Sequence, residues 1–257
     1  MTEFKNILVA KSGPVARVTF NRPDFRNALS LETRKELKAA LAELRADPEV
    51  RVLVFNGAGK GFIAGADLRD LVPMNPPEAW NYVNSYGQAL YGEIASFPWP
   101  TIAAIHGFAL GGGFELALAC DIRIAAEGAL FGAPEVNVGI FPGGGGTQRL
   151  FTAGLPGYAA ETVLLGENFD AKEAHRRGIV NRVVPPEKLE EEVAALAKKL
   201  AEKPPVALRL AKEALAGADR GNYKLEAALF ATVFASEDQK EGMRAFLEKR
   251  KPVWKGR

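Results

Sequence analysis

The sequence predicts an α/β protein with a helical final quarter, and three observations carry that reading. Short β-rich runs alternate with stretches of helical periodicity through the first 185 residues. Glycine-bearing turns recur where strand gives way to helix. After Val184-Pro-Pro186 the composition shifts to Ala, Leu, Glu and Lys. Such alternation builds largely parallel or stacked strands covered by helices, with ligand sites at strand-to-helix turns.

Taken in order, Ile7 to Ala10 and Val15 to Phe20 read as a hairpin about Lys11-Ser-Gly-Pro14, whose Gly and Pro interrupt strand pairing. Ser30 is the expected N-cap of a first helix with Glu32 in its first turn; Leu31, Leu37, Leu41 and Leu44 repeat at near-helical spacing until Asp47-Pro48 ends the pattern. Arg51 to Phe55 reads as a buried strand and Pro77 to Ser96 as a long helix. Strand, helix and strand then follow over Thr101 to Ile105, Gly113 to Ala119 and Asp121 to Ala125. Four helices close the chain, over Lys188 to Glu202, Val206 to Ala216, Leu225 to Ala235 and Lys240 to Lys249. Helices with so much apolar surface must cover the main body or a neighbouring subunit, so oligomerisation is expected.

Composition excludes several classes of function. A chain of 257 residues can bury a core large enough to need no crosslinks, and its single cysteine, Cys120, permits no internal disulfide. With Leu118, Ala119 and Ile122 around it, Cys120 reads as a small buried thiol in a reducing compartment. Lys and Arg (33) nearly balance Asp and Glu (31), so a net charge of +2 offers no field to draw nucleic acid or a membrane. The N-terminus resembles neither a signal nor a transit peptide, and no apolar run is long enough for a bilayer. A soluble cytoplasmic protein is expected.

Two glutamates carry the chemistry. Glu115 and Glu135 stand 20 positions apart, each just after a glycine-bearing turn, in His106-Gly-Phe-Ala-Leu-Gly-Gly-Gly-Phe-Glu115 and Phe131-Gly-Ala-Pro-Glu135. A carboxylate beside bare backbone amides combines a proton-transfer group with donors for an oxygen that becomes negative. Gly111-Gly-Gly113 opens a helix, where free amides and the dipole favour negative charge; by itself, such a triplet serves tight packing as readily. Phe62-Ile-Ala-Gly-Ala-Asp67 is a second source of amides, and structurally it is a connection whose Asp67 caps the next helix. A third segment, Phe131 to Arg149, couples Glu135 to the run Gly143 to Gly146.

Other chemistries lack their signatures. Neither glycine-rich segment matches G-x-G-x-x-G or a P-loop, because no lysine follows Gly146 and Gly59-Lys60 is followed by Gly61. None of the five serines lies in G-x-S-x-G. His106, His175 and Cys120 form no metal-ligand spacing, so no metal is expected; His106 reads as a turn residue and His175 as a surface helix residue.

The chain resembles the enoyl-CoA hydratase/isomerase, or crotonase, family along nearly its whole length. The resemblance rests on Asn21-Arg-Pro-Asp-Phe-Arg-Asn-Ala-Leu29, Ala64-Gly-Ala-Asp-Leu68, Ala109-Leu-Gly-Gly-Gly-Phe-Glu-Leu-Ala117, Cys120-Asp121, Phe131 to Glu135, Pro142-Gly-Gly-Gly-Gly-Thr-Gln-Arg149, Glu241-Gly-Met243 and Glu248-Lys-Arg-Lys251, in the family's order. It implies a crotonase-like spiral of ββα units over residues 1–190, which holds the active site, and a C-terminal helical trimerisation region over 191–257. A homotrimer or dimer of trimers would follow. It also implies an oxyanion hole made by the amides of Ala66 and Gly112, with Glu115 deprotonating a water and Glu135 supplying a proton to the α carbon of an enoyl-CoA thioester. For the CoA moiety it implies Ala64 near the adenine, Arg26 near the phosphates, Ala66, Asp67, Leu68 and Gly112 along the channel, and Phe230 and Lys249 completing a neighbour's site. The CoA is part of the substrate, so no separate cofactor is expected; the setting implied is fatty acid metabolism by β-oxidation. The acyl tail is expected near Leu71 to Tyr91.

Two rivals remain at this level. One is another CoA-thioester reaction on the same fold, such as double-bond isomerisation or hydration of a cyclic enoyl-CoA. The other is RNA binding through Arg34, Lys35, Lys38 and Arg45 on the first helix, although the interleaved Glu32, Glu36 and Glu43 read as a solvated face.

Overall fold

The computed structural model describes residues 2–153, 156–216 and 223–257. The opening hairpin pairs β1 (Ile7–Ser12) with β2 (Val15–Phe20) about a tighter turn than expected: Ser12 lies opposite Val15, and Gly13 takes a left-handed φ of 56°. Ser30 caps α1 (Leu31–Ala46), its hydroxyl accepting from the Thr33 amide at 3.2 Å. Next come β3 (Val52–Gly57), the short α2 (Leu68–Leu71), and a long helix made of α3 (Pro76–Tyr82), a π-helical turn (Val83–Gln88) and α4 (Ala89–Ala95). Asn75 and Glu78 start this helix with a reciprocal capping box.

The ββα spiral is then plain. Each turn contributes one strand to a large sheet, one extended segment to a small sheet, and a helix. β4 (Thr101–Ile105), β5 (Phe108–Leu110) and α5 (Gly112–Ala119) form one turn; β6 (Ile122–Ala126), β7 (Leu130–Gly132), α6 (Gly146–Ala153) and α7 (Pro156–Leu165) form the next. After β8 (Phe169–Asp170) and α8 (Ala171–Arg176), β9 (Arg182–Val184) returns to the large sheet. That sheet runs β1-β2-β3-β4-β6-β9 and is parallel except for the hairpin; the small one runs β5-β7-β8, and Ile63 bridges to Ala109 at its edge.

Both faces of the large sheet are covered, which is why Val52-Leu-Val-Phe55 is a continuous apolar run. Leu53 and Phe55 face the interior of the spiral with Ala103, Ile105 and Ala125. Val52 and Val54 face the other way, with Ile102, Ala104 and Ile124, beneath Leu189, Val193 and Ala197. Those last three belong to α9 (Leu189–Ala201), which runs across the expected 190/191 boundary while lying on the sheet. Beyond it, α10 (Pro205–Ala216), α11 (Tyr223–Val233) and α12 (Glu237–Leu247) leave Leu215, Phe230, Phe234, Met243 and Leu247 exposed. No described helix is long and apolar enough to cross a membrane.

Candidate active site

Glu115 sits in the first turn of α5, all eight residues of which are buried. Phe114 locks this helix onto the small sheet, its ring 5.9 Å from Phe131 and 6.0 Å from Phe169. The turn into α5 depends on Gly111, whose φ of 50° and ψ of −126° are closed to residues with a Cβ. Its amide donates to the Gly132 carbonyl at 2.9 Å, which ties the start of α5 to the end of β7. Three residues beyond Gly132, Glu135 lies in a 3₁₀ turn (Pro134–Val138) and reaches back, so that a Cβ on Gly111 would come 3.2 Å from its Oε1. The two glutamates therefore flank one glycine turn.

Their surroundings differ. Glu115 is 6% exposed, and its Oε1 accepts from the amides of Gly144 at 2.8 Å and Gly146 at 2.9 Å. Burial pushes its carboxyl up, while the Gly146 amide, Arg34, the Gly144 amide and Arg149 all pull the other way. Glu135 has less help, only its own backbone amide opposing the rise, and its Oε2 is buried without a hydrogen-bond partner among the described residues. Burial and then the charge of Glu115 push its carboxyl up to about 7.

Two backbone amides beside this pair are unpartnered. Neither Ala66 nor Gly112 donates to a protein acceptor among the described residues, and a Cβ on Gly112 would lie 3.5 Å from the Ala66 nitrogen. Ala66 is held there by its neighbours, since the Leu29 amide donates to the Gly65 carbonyl at 2.8 Å and the Asp67 amide to the Leu29 carbonyl at 3.1 Å. Adjacent free N–H groups at a buried helix start can stabilise an oxygen that gains negative charge.

The remaining expected residues divide into three groups. Arg26, Ala64 and Leu68 lie together around the Ala66 loop: the Ala64 amide donates to the Arg26 carbonyl at 3.1 Å, the Arg26 guanidinium covers the Phe108 ring at 4.4 Å, and Leu68 is 46% exposed. Asp67 turns inward. Its carboxylate caps α2 and binds Arg69 at 2.7 Å and Arg22 at 3.2 Å, which hold it down at about 2. Phe230 and Lys249 lie in the C-terminal helical region, and no hydrogen bond or ring contact of the described residues joins them to the glycine turn; Phe230 is exposed beside Phe234.

Sequence reasoning placed Arg34 on a basic surface of α1, and the structure corrects this. Arg34 is buried on the stripe of Leu37, Leu41 and Leu44, three, seven and ten positions before them, a helical spacing that marks the buried face. Its Nη1 donates to the Tyr86 carbonyl at 2.6 Å and to the Tyr91 hydroxyl at 3.0 Å. Tyr91, at the end of the stretch expected near the acyl tail, is wholly buried and donates to the Gly112 carbonyl at 2.9 Å. Arg149 and Gln88 were not singled out, yet Arg149 Nη1 donates to the Gly144 carbonyl at 2.9 Å and Gln88 Nε2 to that of Gly143 at 3.1 Å, aiming the loop that holds Glu115. Cys120 is a buried, inert thiol pushed up to about 12 by desolvation, and His106 is a turn residue paired with the Gly59 carbonyl.

Comparison with known proteins places this geometry. The family described as "Enoyl-CoA hydratase/isomerase" matches residues 10–257. A short-chain-enoyl-CoA hydratase of Clostridium acetobutylicum is 42% identical over 257 residues, covering 97% of each chain. A crotonyl-CoA hydratase of Syntrophomonas wolfei is 44% identical over 96% of this chain and 97% of its own. The crystal structure of an enoyl-CoA hydratase from Bacillus anthracis superposes with a TM-score of 0.93 at 39% identity, over 98% of this chain and 100% of that one.

Proposed function

The chain belongs to the enoyl-CoA hydratase/isomerase family, and we propose that it adds water reversibly across the 2,3 double bond of an enoyl-CoA thioester to give 3-hydroxyacyl-CoA. One observation carries the reading: two amides without an acceptor among the described residues, those of Ala66 and Gly112, stand beside two carboxyls that burial pushes up, of which Glu115 alone is held by two loop amides. Conjugate addition needs both parts.

The thioester carbonyl oxygen accepts from the Ala66 and Gly112 amides, which stabilise the charge that collects there as oxygen attacks carbon 3. Glu115, whose carboxylate form is supported by two amides and two guanidiniums, orients the water and takes its proton. Glu135, protonated over a substantial fraction at neutral pH, delivers a proton to carbon 2. The water's oxygen and one proton are then on the product, and the proton left on Glu115 restores the pair's single-proton state. Dehydration runs the same steps backwards.

The CoA moiety would run past Arg26, Ala64 and Leu68, with Phe230 and Lys249 offered by a neighbouring subunit. The exposed apolar residues of α10 to α12 support a homotrimer or a dimer of trimers, working in the cytoplasm on chains undergoing β-oxidation. Asp67 serves this site as the clamp of the Ala66 loop, through Arg22 and Arg69. The test is direct: mix the purified protein with crotonyl-CoA, follow the loss of conjugated-enoyl absorbance, and weigh the product. A gain of one water is expected; an unchanged thioester would sink the hydratase reading for this substrate.

A further inference from the structure

The buried face of α1 holds a cation that touches none of the reacting groups in these steps. Arg34 is 3% exposed and makes no salt bridge among the described residues, and its Nε has no hydrogen-bond partner there. A guanidinium withdrawn from water without a carboxylate against it is costly to keep, and such groups gather at functional sites. Its position is specific. Nη1 donates to the Tyr91 hydroxyl, which donates to the Gly112 carbonyl, and a Cβ on Gly112 would lie 3.2 Å from both Arg34 Nη2 and the Tyr91 oxygen. The other acceptor, Tyr86, lies in the π-helical turn Val83–Gln88, a distortion of the kind that collects at functional sites.

We infer that Arg34 is a positioning residue of the hydration, holding residue 112 in place through Tyr91 and standing as the buried countercharge of Glu115. The inference rests on the reading of Glu115 as the base that takes a proton from water.

The other groups around Glu115 leave this role open. Arg149, from α6, is engaged on the Gly144 carbonyl; Gly144 and Gly146 contribute amides; Tyr82 and Tyr91, from the long helix, are neutral; Glu135, from the 3₁₀ turn, carries the opposing charge. Asp70 acts on Tyr82. Tyr82 and Tyr91 also line the guanidinium, their ring centroids 5.2 and 5.5 Å from its carbon, so the cation is fixed by aromatic faces and by one carbonyl. Tyr91 joins this cation to Glu115, since a Cβ on Gly144 would come 2.6 Å from the Tyr91 ring and 2.7 Å from Glu115 Oε2; held on Tyr91, the cation biases Glu115 toward its carboxylate without a salt bridge to it among the described residues.

The test uses ligand-free, full-length protein labelled with ¹³C-glutamate, following carboxyl infrared bands against pH, with Glu115→Gln identifying the Glu115 band. In Arg34→Met the Glu115 midpoint should rise by about one unit or more, and the acid limb of kcat/KM for crotonyl-CoA should rise with it. Arg34→Lys should bring both most of the way back. Tyr91→Phe should lower kcat by about tenfold with KM within about twofold, since it loosens one donor of the hole. An Arg34→Met midpoint and acid limb that coincide with wild type would overturn the inference. Should that variant fail to fold, Tyr91→Phe decides, and a wild-type kcat there would overturn it equally. Wild-type protein that leaves crotonyl-CoA untouched would sink the hydratase reading instead, while the infrared midpoints still decide the role of Arg34.

Discussion

Glu115 and Glu135 flank the same turn, yet the protein treats them differently. Around Glu115, two loop amides and two guanidiniums oppose the effect of burial. Around Glu135 there is burial, the charge of Glu115, and an oxygen with no partner among the described residues. Identical side chains thus differ in the donors within reach, and the base and acid roles proposed for them rest on that difference, not on glutamate itself. A third carboxylate, Asp67, shows the other extreme, held at about 2 by Arg69 and Arg22 and committed to the loop that carries Ala66.

The largest expected effect comes from removing the proposed base. Glu115→Gln should lower kcat for crotonyl-CoA hydration by about 10³-fold or more with little change in KM, because the amide oxygen can still accept from Gly144 and Gly146. Steady-state kinetics within tenfold of wild type would end the assignment. Glu135→Gln should cost about 10² to 10³-fold and remove the alkaline limb of kcat/KM, which in wild type should fall as pH rises through about 7.

The same substitution should have an opposite effect on stability. A carboxyl that holds its proton more tightly when folded stabilises the protein only at low pH. That contribution is lost between its unfolded value, about 4.3, and about 7. Glu135→Gln should therefore be more stable than wild type at pH 8, by about 2 kcal/mol, and nearly equal in stability at pH 4, as read by thermal unfolding. Equal shifts at both pH values would mean that Glu135 is not the strained member of the pair.

Gly144→Ala attacks the cradle of Glu115 from the side. The new methyl would come 2.6 Å from the Tyr91 ring and 2.7 Å from Glu115 Oε2, so a loss of about 1 to 3 kcal/mol and roughly tenfold in kcat are expected; calorimetry and kinetics together would show whether the loop is as rigid as its hydrogen bonds imply. Asp67→Asn should cost about 2 kcal/mol at pH 7. Because its folded value is depressed, that deficit should shrink as pH falls from about 4 toward about 2, the reverse of Glu135. Ser30→Ala lies outside the comparison and serves as its control: about 1 kcal/mol lost with the cap, and both limbs of the pH profile unchanged in kinetic titration.

Much of this was legible in the sequence because it is written in local chemistry. Ser30 caps α1 where a hydroxyl precedes a leucine stripe, and Asp67 caps α2 by the same rule. The strand Thr101–Ile105 has the expected bounds, and β3 shows its double burial as an unbroken apolar run. The two glutamates announce themselves by the glycines before them. Arg34 was misplaced because the eye reads a guanidinium between Glu32 and Lys35 as solvated, although its spacing to Leu37 and Leu41 is that of the buried face. The role of Gly144 and Gly146 in holding Glu115 could not be read, since those amides lie 29 and 31 residues away in the chain.

By itself, the sequence determined the alternation of elements, their caps, the family resemblance, and which two carboxyls to watch. It determined them because propensity, capping and glycine tolerance act over a few residues. The tertiary structure alone decided which glutamate is held by backbone amides, which aspartate is tied down, and which arginine goes inside. Those outcomes depend on burial and on charges and amides brought together from five elements distant in the chain, and proton affinity is set by distance in space.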